Sequence, residues 1–225
     1  MKVTASSLIR WSGLAALVAG LIFAGIQPIH PPDVLASVTT GAWTIINSLK
    51  FAMCLLFLIG ITGIYARQVE RAGWLGLAGF LLLIVCWWLQ TGYVFTELFI
   101  LPVQANAAPQ FVQSFLGVVN PESPVEMNIG ALPAAYGLLS ILYLLGGLLF
   151  GIATLRAHVL PRWPAGLLAV AALLTPAAAL LPHAIQRFAA IPVGLAIAWL
   201  GYALWSERRA RVSDSASGGE SPQLR

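Results

Sequence analysis

Charge is scarce in this chain. Asp, Glu, Lys and Arg make up 9% of its 225 residues, whereas 59% of the residues are hydrophobic. A soluble domain carries roughly a quarter charged residues. Since so few polar side chains could not cover a soluble globule of this size, the composition predicts an all-α, polytopic membrane protein.

Cysteine and the common catalytic motifs are also nearly absent. The two cysteines, Cys54 and Cys86, both lie inside apolar segments, which excludes a disulfide scaffold and a CxxC zinc site. The sequence contains no GxxxxGK[ST] phosphate loop, no GxSxG elbow and no HExxH helix. No pair of histidines lies on the apolar segments to ligate a haem. We therefore predict no metal and no cofactor.

Long apolar runs are what the chain does contain. The run at residues 74–102 would span roughly 43 Å as a helix, more than the roughly 30 Å of a bilayer's hydrocarbon core. The pattern predicts one transmembrane domain, residues 1–206, and a disordered polar tail, residues 207–225. Its six predicted helices are 8–27, 43–66, 74–102, 129–155, 164–181 and 188–205.

The first apolar run allows two interpretations. With Lys2 and Arg10 before it, the apolar run at residues 14–26 could be a secretory signal peptide that is removed. The longer run at residues 8–27 is nearer to full spanning length, however, and small residues recur along one side at Ala16, Gly20 and Ala24. Such a ridge suits close helix packing, so we predict a helix that is retained.

Basic residues fall on one side of this six-helix arrangement. That side holds Lys2, Arg10, Arg67, Arg71, Arg156, Arg162, Arg208, Arg209 and Arg211, and the other side holds Arg187. The positive-inside rule then predicts that both termini are cytoplasmic. This short, multi-pass pattern is typical of small bacterial plasma-membrane proteins. Because the basic clusters only separate apolar runs, they do not indicate a nucleic-acid partner.

Two ionisable residues lie within the predicted spans. Counting helix rise, Lys50 is roughly 10 Å and Glu97 roughly 7 Å from the outer side. Their helices are antiparallel neighbours, so we predict that the two side chains lie at matching depth. A binding or catalytic role for these two residues has three alternatives: Lys50 extends outwards to water, Glu97 is protonated and neutral, or the pair only fixes helix register.

Further polar side chains lie at helical spacing from this pair. Gln90 and Tyr93 precede Glu97 on one stripe, and Asn47 shares a face with Lys50 and Trp43. On the fourth helix Tyr136, Ser140 and Tyr143 follow one face. The spacing predicts a polar pocket in the outer half of the bundle. Its candidate binding residues are Lys50, Glu97, Tyr93, Gln90, Asn47 and Tyr136.

The loops on the outer side hold the remaining polar candidates. His30, Asp33, Glu122, Glu126, His183 and Arg187 come from three separate loops. Their spacing is not that of a metal motif, and we expect both histidines to face solvent. Pro109 to Val119 places apolar residues on one side, which predicts a short helix on the membrane surface.

These features leave three functional hypotheses. The first is a binding, transport or accessory protein, with the bilayer and a small molecule or lipid as its partners. The second is an enzyme acting on a lipid or isoprenoid at the outer leaflet, with Glu97 or Lys50 transferring a proton and Arg187 or His183 holding a headgroup. The third is a helical scaffold with no ligand.

Overall fold

The fold consists of helices throughout the described residues, which are 4–120, 123–178, 181 and 183–217 of a computed structural model. Four of these helical stretches are long and apolar enough to cross a membrane: Ala5–Ile29, Gly41–Ala107, Leu132–Ala157 and Arg187–Glu207. The prediction of an all-helical protein with membrane-length helices is therefore confirmed. The elements are α1 (Ala5–Ile26), α2 (Gly41–Phe95), a π turn (Thr96–Ile100), α3 (Leu101–Ala107), α4 (Pro109–Leu116), α5 (Leu132–Ala157), α6 (Arg162–Ala178), α7 (His183–Gln186) and α8 (Ala190–Ser217).

Helix α2 folds back on itself at Gly73, whose φ of 59° and ψ of −166° are not helical. Glycine adopts such a backbone without the steric cost that a Cβ atom imposes. The first arm, residues 41–72, therefore lies beside the second arm, residues 74–95. Phe57 stacks on Trp87 with ring centroids 4.1 Å apart, and Tyr65 stacks on Phe80 at 4.4 Å.

The two arms correspond to the predicted helices 43–66 and 74–102. The connection between them, residues 67–73, is helical up to Ala72 rather than a loop. Its Arg, Gln and Glu residues are good helix formers, so the first helix continues until Gly73 ends it. At the far end the helical path continues from the second arm through the π turn and then past residue 102 to Ala107.

Small residues bring the first and last helices into backbone contact. A Cβ atom placed on Gly20 would lie 2.3 Å from the carbonyl oxygen of Gly194, and one on Gly13 would lie 2.9 Å from that of Gly201. No side chain fits at such distances, so these positions need glycine. The predicted small-residue ridge of α1 is therefore an interhelical contact surface.

The helices form a closed ring in which each contacts the next. Helix α1 packs between α8 and the first arm of α2, the second arm packs against α5, α5 against α6, and α6 against α8. α6 is too short to be counted among the membrane-length helices. Large apolar side chains face outwards on this ring, among them Leu21, Ile45, Ile59, Val85, Trp88, Leu138, Ile141, Leu173 and Leu195.

The last helix is longer than predicted. α8 continues to Ser217, past the predicted end at residue 205 and into the segment expected to be disordered. Glu, Arg and Ala dominate the first turns of this extension, and these residues favour helix. Residues 218–225 of the predicted tail lie outside the described part.

The bundle has two chemically different ends. We call one the arginine-rich end; it comprises the start of α1, the Gly73 turn, the α5–α6 connection and Glu207. The other is the loop end, with residues 27–40, 96–120, 123–131, 181 and 183–189. There the helix predicted at 109–119 is observed as α4, whose Val112, Phe115 and Leu116 are buried.

Candidate functional site

Lys50 and Glu97, the two ionisable residues predicted to lie at matching depth, are in contact. Lys50 Nζ donates a hydrogen bond to Glu97 Oε2 at 2.5 Å and joins the first arm of α2 to the π turn. Their side chains are 12% and 6% exposed. Burying either ion alone would cost several kcal/mol, at least about 3. The geometry is that of a buried ion pair, and Lys50 does not extend away from Glu97.

The backbone around Glu97 is shaped by a proline. In the π turn the N–H of Leu101 donates to the carbonyl of Thr96, and Pro102 has no N–H. The carbonyl of Glu97 thus loses its helical donors. Trp43 replaces them: its indole Nε1–H donates to this oxygen at 2.8 Å, in a buried position. The π turn, which often occurs at functional sites, is held in place by this bond.

His30 extends the pair towards the loop end. Its Nδ1 lies 2.7 Å from the carbonyl oxygen of Pro31, which can only accept, so Nδ1 carries the proton. Its Nε2 then accepts from Lys50 Nζ at 3.4 Å. Burial, aided by the Lys50 ammonium, lowers the pKa of His30 from 6.5 to about 4, although the Asp33 carboxylate opposes this shift. His30 is therefore a neutral member of the site.

A second ion pair lies on the other side of His30. Arg187 donates through one nitrogen to Asp33 Oδ2 at 3.0 Å and through another to the carbonyl of His30 at 3.2 Å. The Asp33 carbonyl accepts from Asn120 Nδ2 at 3.2 Å and from Ser123 Oγ at 3.0 Å. Asp33 is thus where three separate loops of the chain meet.

We call this set the ion cluster: Asp33, Lys50, Glu97 and Arg187, with neutral His30 between the two pairs. Its two cations and two anions cancel. A cluster without net charge avoids most of the penalty that a single ion pays in a low-dielectric interior. Removing or adding one charge would leave an uncompensated ion.

Of the other predicted binding residues, Asn47 and Tyr93 turn their polar groups elsewhere. Asn47 is fully buried and donates to the carbonyl of Trp43 at 3.1 Å, and its Oδ1 has no partner among the described residues. Tyr93 donates its hydroxyl to the carbonyl of Leu132, at the start of α5. Both hydrogen bonds go to backbone carbonyls and support the walls of the site.

Gln90 and Tyr136 are half-buried. The Tyr136 ring lies 5.3 Å from that of Tyr93, in an edge-to-face arrangement. The predicted polar face of α5 does not line the pocket completely. Ser140 is exposed on the outside of the bundle, and its hydroxyl donates to the backbone carbonyl of Tyr136 on the same helix. Tyr143 instead packs near Trp87, with ring centroids 6.3 Å apart. Entry of a ligand beside Lys50 stays a prediction.

The outer loop residues gather differently from the expectation. His30 was expected to face solvent and is instead enclosed, with a side chain 10% exposed, because the proline-rich loop turns inwards over Trp43. Glu122 and the side chain of His183 lie outside the described part. Among the described residues, no three metal-ligating side chains come together.

Sequence reasoning missed the pairing of Asp33 with Arg187 and the roles of Trp43, Asn120 and Ser123. One signal for the first was available. Arg187 is the only basic residue on the predicted outer side, and a lone cation at a membrane boundary indicates a specific partner. Hydrogen bonds from loops to the Asp33 carbonyl leave no comparable trace in the sequence.

Comparisons with protein-family models, with curated proteins and with solved structures give no match. Any function must therefore be argued from the site itself. Chemically, the cluster offers one buried ammonium, one guanidinium, two carboxylates and a neutral imidazole with a lone pair. These groups can bind a polar ligand or pass a proton along the line from Glu97 through Lys50 to His30.

Proposed function

We propose that this protein binds or transports a small molecule or lipid, and that the ion cluster is its binding site. The observation that carries the proposal is the buried, neutral set of four charges at the loop end. Ionisable groups within membrane-spanning segments are costly and are functional candidates by default. A pair that only fixed helix register would not need the second pair and the imidazole beside it.

The cluster also indicates what the ligand must offer. Each ion already has a partner, so a ligand enters by replacing one of them. A ligand carboxylate or phosphate can take the place of Glu97 on Lys50 when Glu97 takes up a proton. A ligand amine can take the place of Lys50 on Glu97 when Lys50 loses a proton, so the cluster stays neutral. In both cases the ligand carries a charged or strongly polar group. Gln90 and Tyr136 would then line its path into the bundle.

We further propose that the chain crosses a plasma membrane six times, with both termini cytoplasmic and the ion cluster in the outer half. The two arms of α2 and the short helix α6 supply the additional crossings. The placement of Arg67, Arg71 and Arg162 at one end of the bundle supports this orientation. A reporter fused after Arg225 should read cytoplasmic, and one inserted near Ala107 should read external; the reverse result for either would refute it.

Ligand binding can be tested by thermal stability of the purified protein. A panel of small carboxylates, amines and phospholipids is added, and a ligand present at 100 times its Kd should stabilise by about 2.7 kcal/mol. The response should disappear in the double variant Lys50→Met, Glu97→Gln. The matched control is Arg67→Met, Glu207→Gln, which removes an ion pair at the opposite end. Equal responses in both double variants would contradict the proposed site.

The linear order of Glu97, Lys50 and His30 favours one alternative, a membrane-embedded enzyme acting on a lipid or isoprenoid. In that case one of these groups donates or accepts a proton during the reaction. Chemical change of a ligand that binds in the thermal assay would identify the enzyme. Absence of any stabilising ligand would instead favour a structural scaffold.

A further inference from the structure

The arginine-rich end contains a groove that none of the functional hypotheses uses. It consists of two clefts, of about 550 Å³ and about 490 Å³, which share His158 and Val159 as a common wall. The first lies between Ile9 of α1 and the last turns of the first arm of α2. The second lies between the α5–α6 connection and the part of α8 around Glu207.

His158 sits where the two clefts meet because of an unusual backbone. It ends α5 in the left-handed region, with φ of 53° and ψ of 27°. Few residues other than glycine adopt this conformation, although histidine does so more often than most. The turn reverses the chain and leaves the exposed imidazole between the clefts.

Charged side chains line both clefts, with cations in excess. Arg67, Glu70 and Arg71 line the first cleft, and Arg162 and Glu207 line the second. Arg67 Nε donates to Glu207 Oε2 at 2.8 Å, so these two ions neutralise each other. Among the described charged residues that line the groove, Arg71 and Arg162 are then opposed by Glu70 alone, so the groove attracts anions.

Two tryptophans indicate the depth of this groove in the proposed membrane. Trp74 follows Arg71 closely in the chain and is 85% exposed, and Trp163 directly follows Arg162 and is 81% exposed. Exposed tryptophans at helix ends collect at the level of the lipid headgroups. An anion bound in the groove would therefore lie at the level of lipid phosphates.

We propose that the groove binds anionic phospholipids by their phosphates, with Arg71 as the cationic ligand in the first cleft and Arg162 as the cationic ligand in the second. The acyl chains would lie along the apolar outer surface of the bundle. This site is separate from the ion cluster, at the opposite end of the helices, and the proposal does not depend on a ligand at the cluster. Basic pockets between helices on the cytoplasmic side are a known mode of headgroup recognition.

The test is titration of the full-length protein in detergent with fluorescent phosphatidylglycerol, with fluorescent phosphatidylcholine as the neutral comparison. Each basic residue near the surface contributes roughly 1 kcal/mol, so Arg71→Gln or Arg162→Gln should weaken phosphatidylglycerol binding about fivefold. Glu70→Gln should strengthen it, since the repelling carboxylate is gone. Arg156→Gln is the matched control, because Arg156 is exposed at the same end but lines neither cleft.

Three results would overturn the proposal. If Arg156→Gln weakens binding as much as Arg71→Gln, only the overall charge of this end matters. If phosphatidylcholine binds as tightly as phosphatidylglycerol, the groove does not select an anion. Inorganic phosphate is added as a competitor: failure to displace the lipid supports a lipid site, whereas full displacement at millimolar concentration would show a site for free phosphate and refute a lipid ligand.

Discussion

The coupling between Lys50 and Glu97 can be measured directly. Lys50→Met keeps a long unbranched side chain without the ammonium, and Glu97→Gln keeps the shape of the carboxyl group without its charge. Neither change alters the backbone carbonyl of Glu97 that Trp43 binds. Each single variant leaves one buried ion without its partner, whereas the double variant leaves none.

The structure indicates the size of the effect. Both side chains are nearly buried, and breaking such a pair typically costs 3–5 kcal/mol, or less where the remaining group can lose its charge. We expect each single variant to lose about 2 kcal/mol and the double variant also to lose about 2 kcal/mol. The coupling energy is then 2 + 2 − 2, or about 2 kcal/mol.

The assay is unfolding of the protein in mixed micelles by increasing mole fractions of SDS, followed by tryptophan fluorescence. Arg67 and Glu207 provide a control cycle within the same chain. Their ion pair has an N–O distance of 2.8 Å, but the side chains are 31% and 30% exposed. Solvent screens such a pair, so its coupling energy should be about 0.5 kcal/mol or less.

Two results would refute the reasoning. Effects of Lys50→Met and Glu97→Gln that add to within about 0.5 kcal/mol mean that the two ions do not interact energetically. A coupling energy no larger than that of the Arg67–Glu207 cycle would have the same meaning. Either result would also remove the main support for the ion cluster as a binding site.

Three further predictions concern the same region. Trp43→Phe should cost about 1–3 kcal/mol in the same assay, because the buried carbonyl of Glu97 loses its donor, whereas Trp88→Phe on the exposed surface should cost little. Pro102→Ala should reduce the cost of Trp43→Phe, because the new N–H can bond to that carbonyl; an unchanged cost would contradict our account of the π turn. Nitrogen NMR spectra should show that His30 stays neutral, with its proton on Nδ1, as the pH falls to 5. Because the pKa of His30 is lowered on folding, the stability that it contributes, on the order of 3 kcal/mol, is present above pH 6.5 and is lost between pH 6.5 and about 4. Titration of His30 near pH 6.5 would contradict its burial.

Helix rise alone was enough to predict that Lys50 and Glu97 lie at matching depth. Lys50 lies on the first arm of α2 and Glu97 lies in the π turn that continues the second arm, so counting residues from the outer helix ends gives their relative depth. The same reasoning could not predict the position of His30. It lies in a loop whose path depends on successive prolines and on packing against Trp43, and no periodicity describes such a path.

The pairing of Asp33 with Arg187 illustrates a second limit. The two residues are far apart in sequence and lie on different loops, so their contact depends on the order of helices around the ring. That order results from the glycine and alanine contacts between α1 and α8 and between α5 and α6. The sequence shows that such small residues are present but not which helix each one meets.

The contact between α1 and α8 has a consequence for biosynthesis. α1 is made before α8, so the glycine surface of α1 at Gly13 and Gly20 has no partner until α8 itself has left the ribosome. During that time lipids or insertion factors must cover a surface shaped for the backbone of another helix. The Asp33–Arg187 pair must wait as well, because Arg187 is made just before α8. Lys50 and Glu97 can meet much earlier, as soon as the two arms of α2 are inserted, and the cluster is then neutralised in two steps that the order of translation separates.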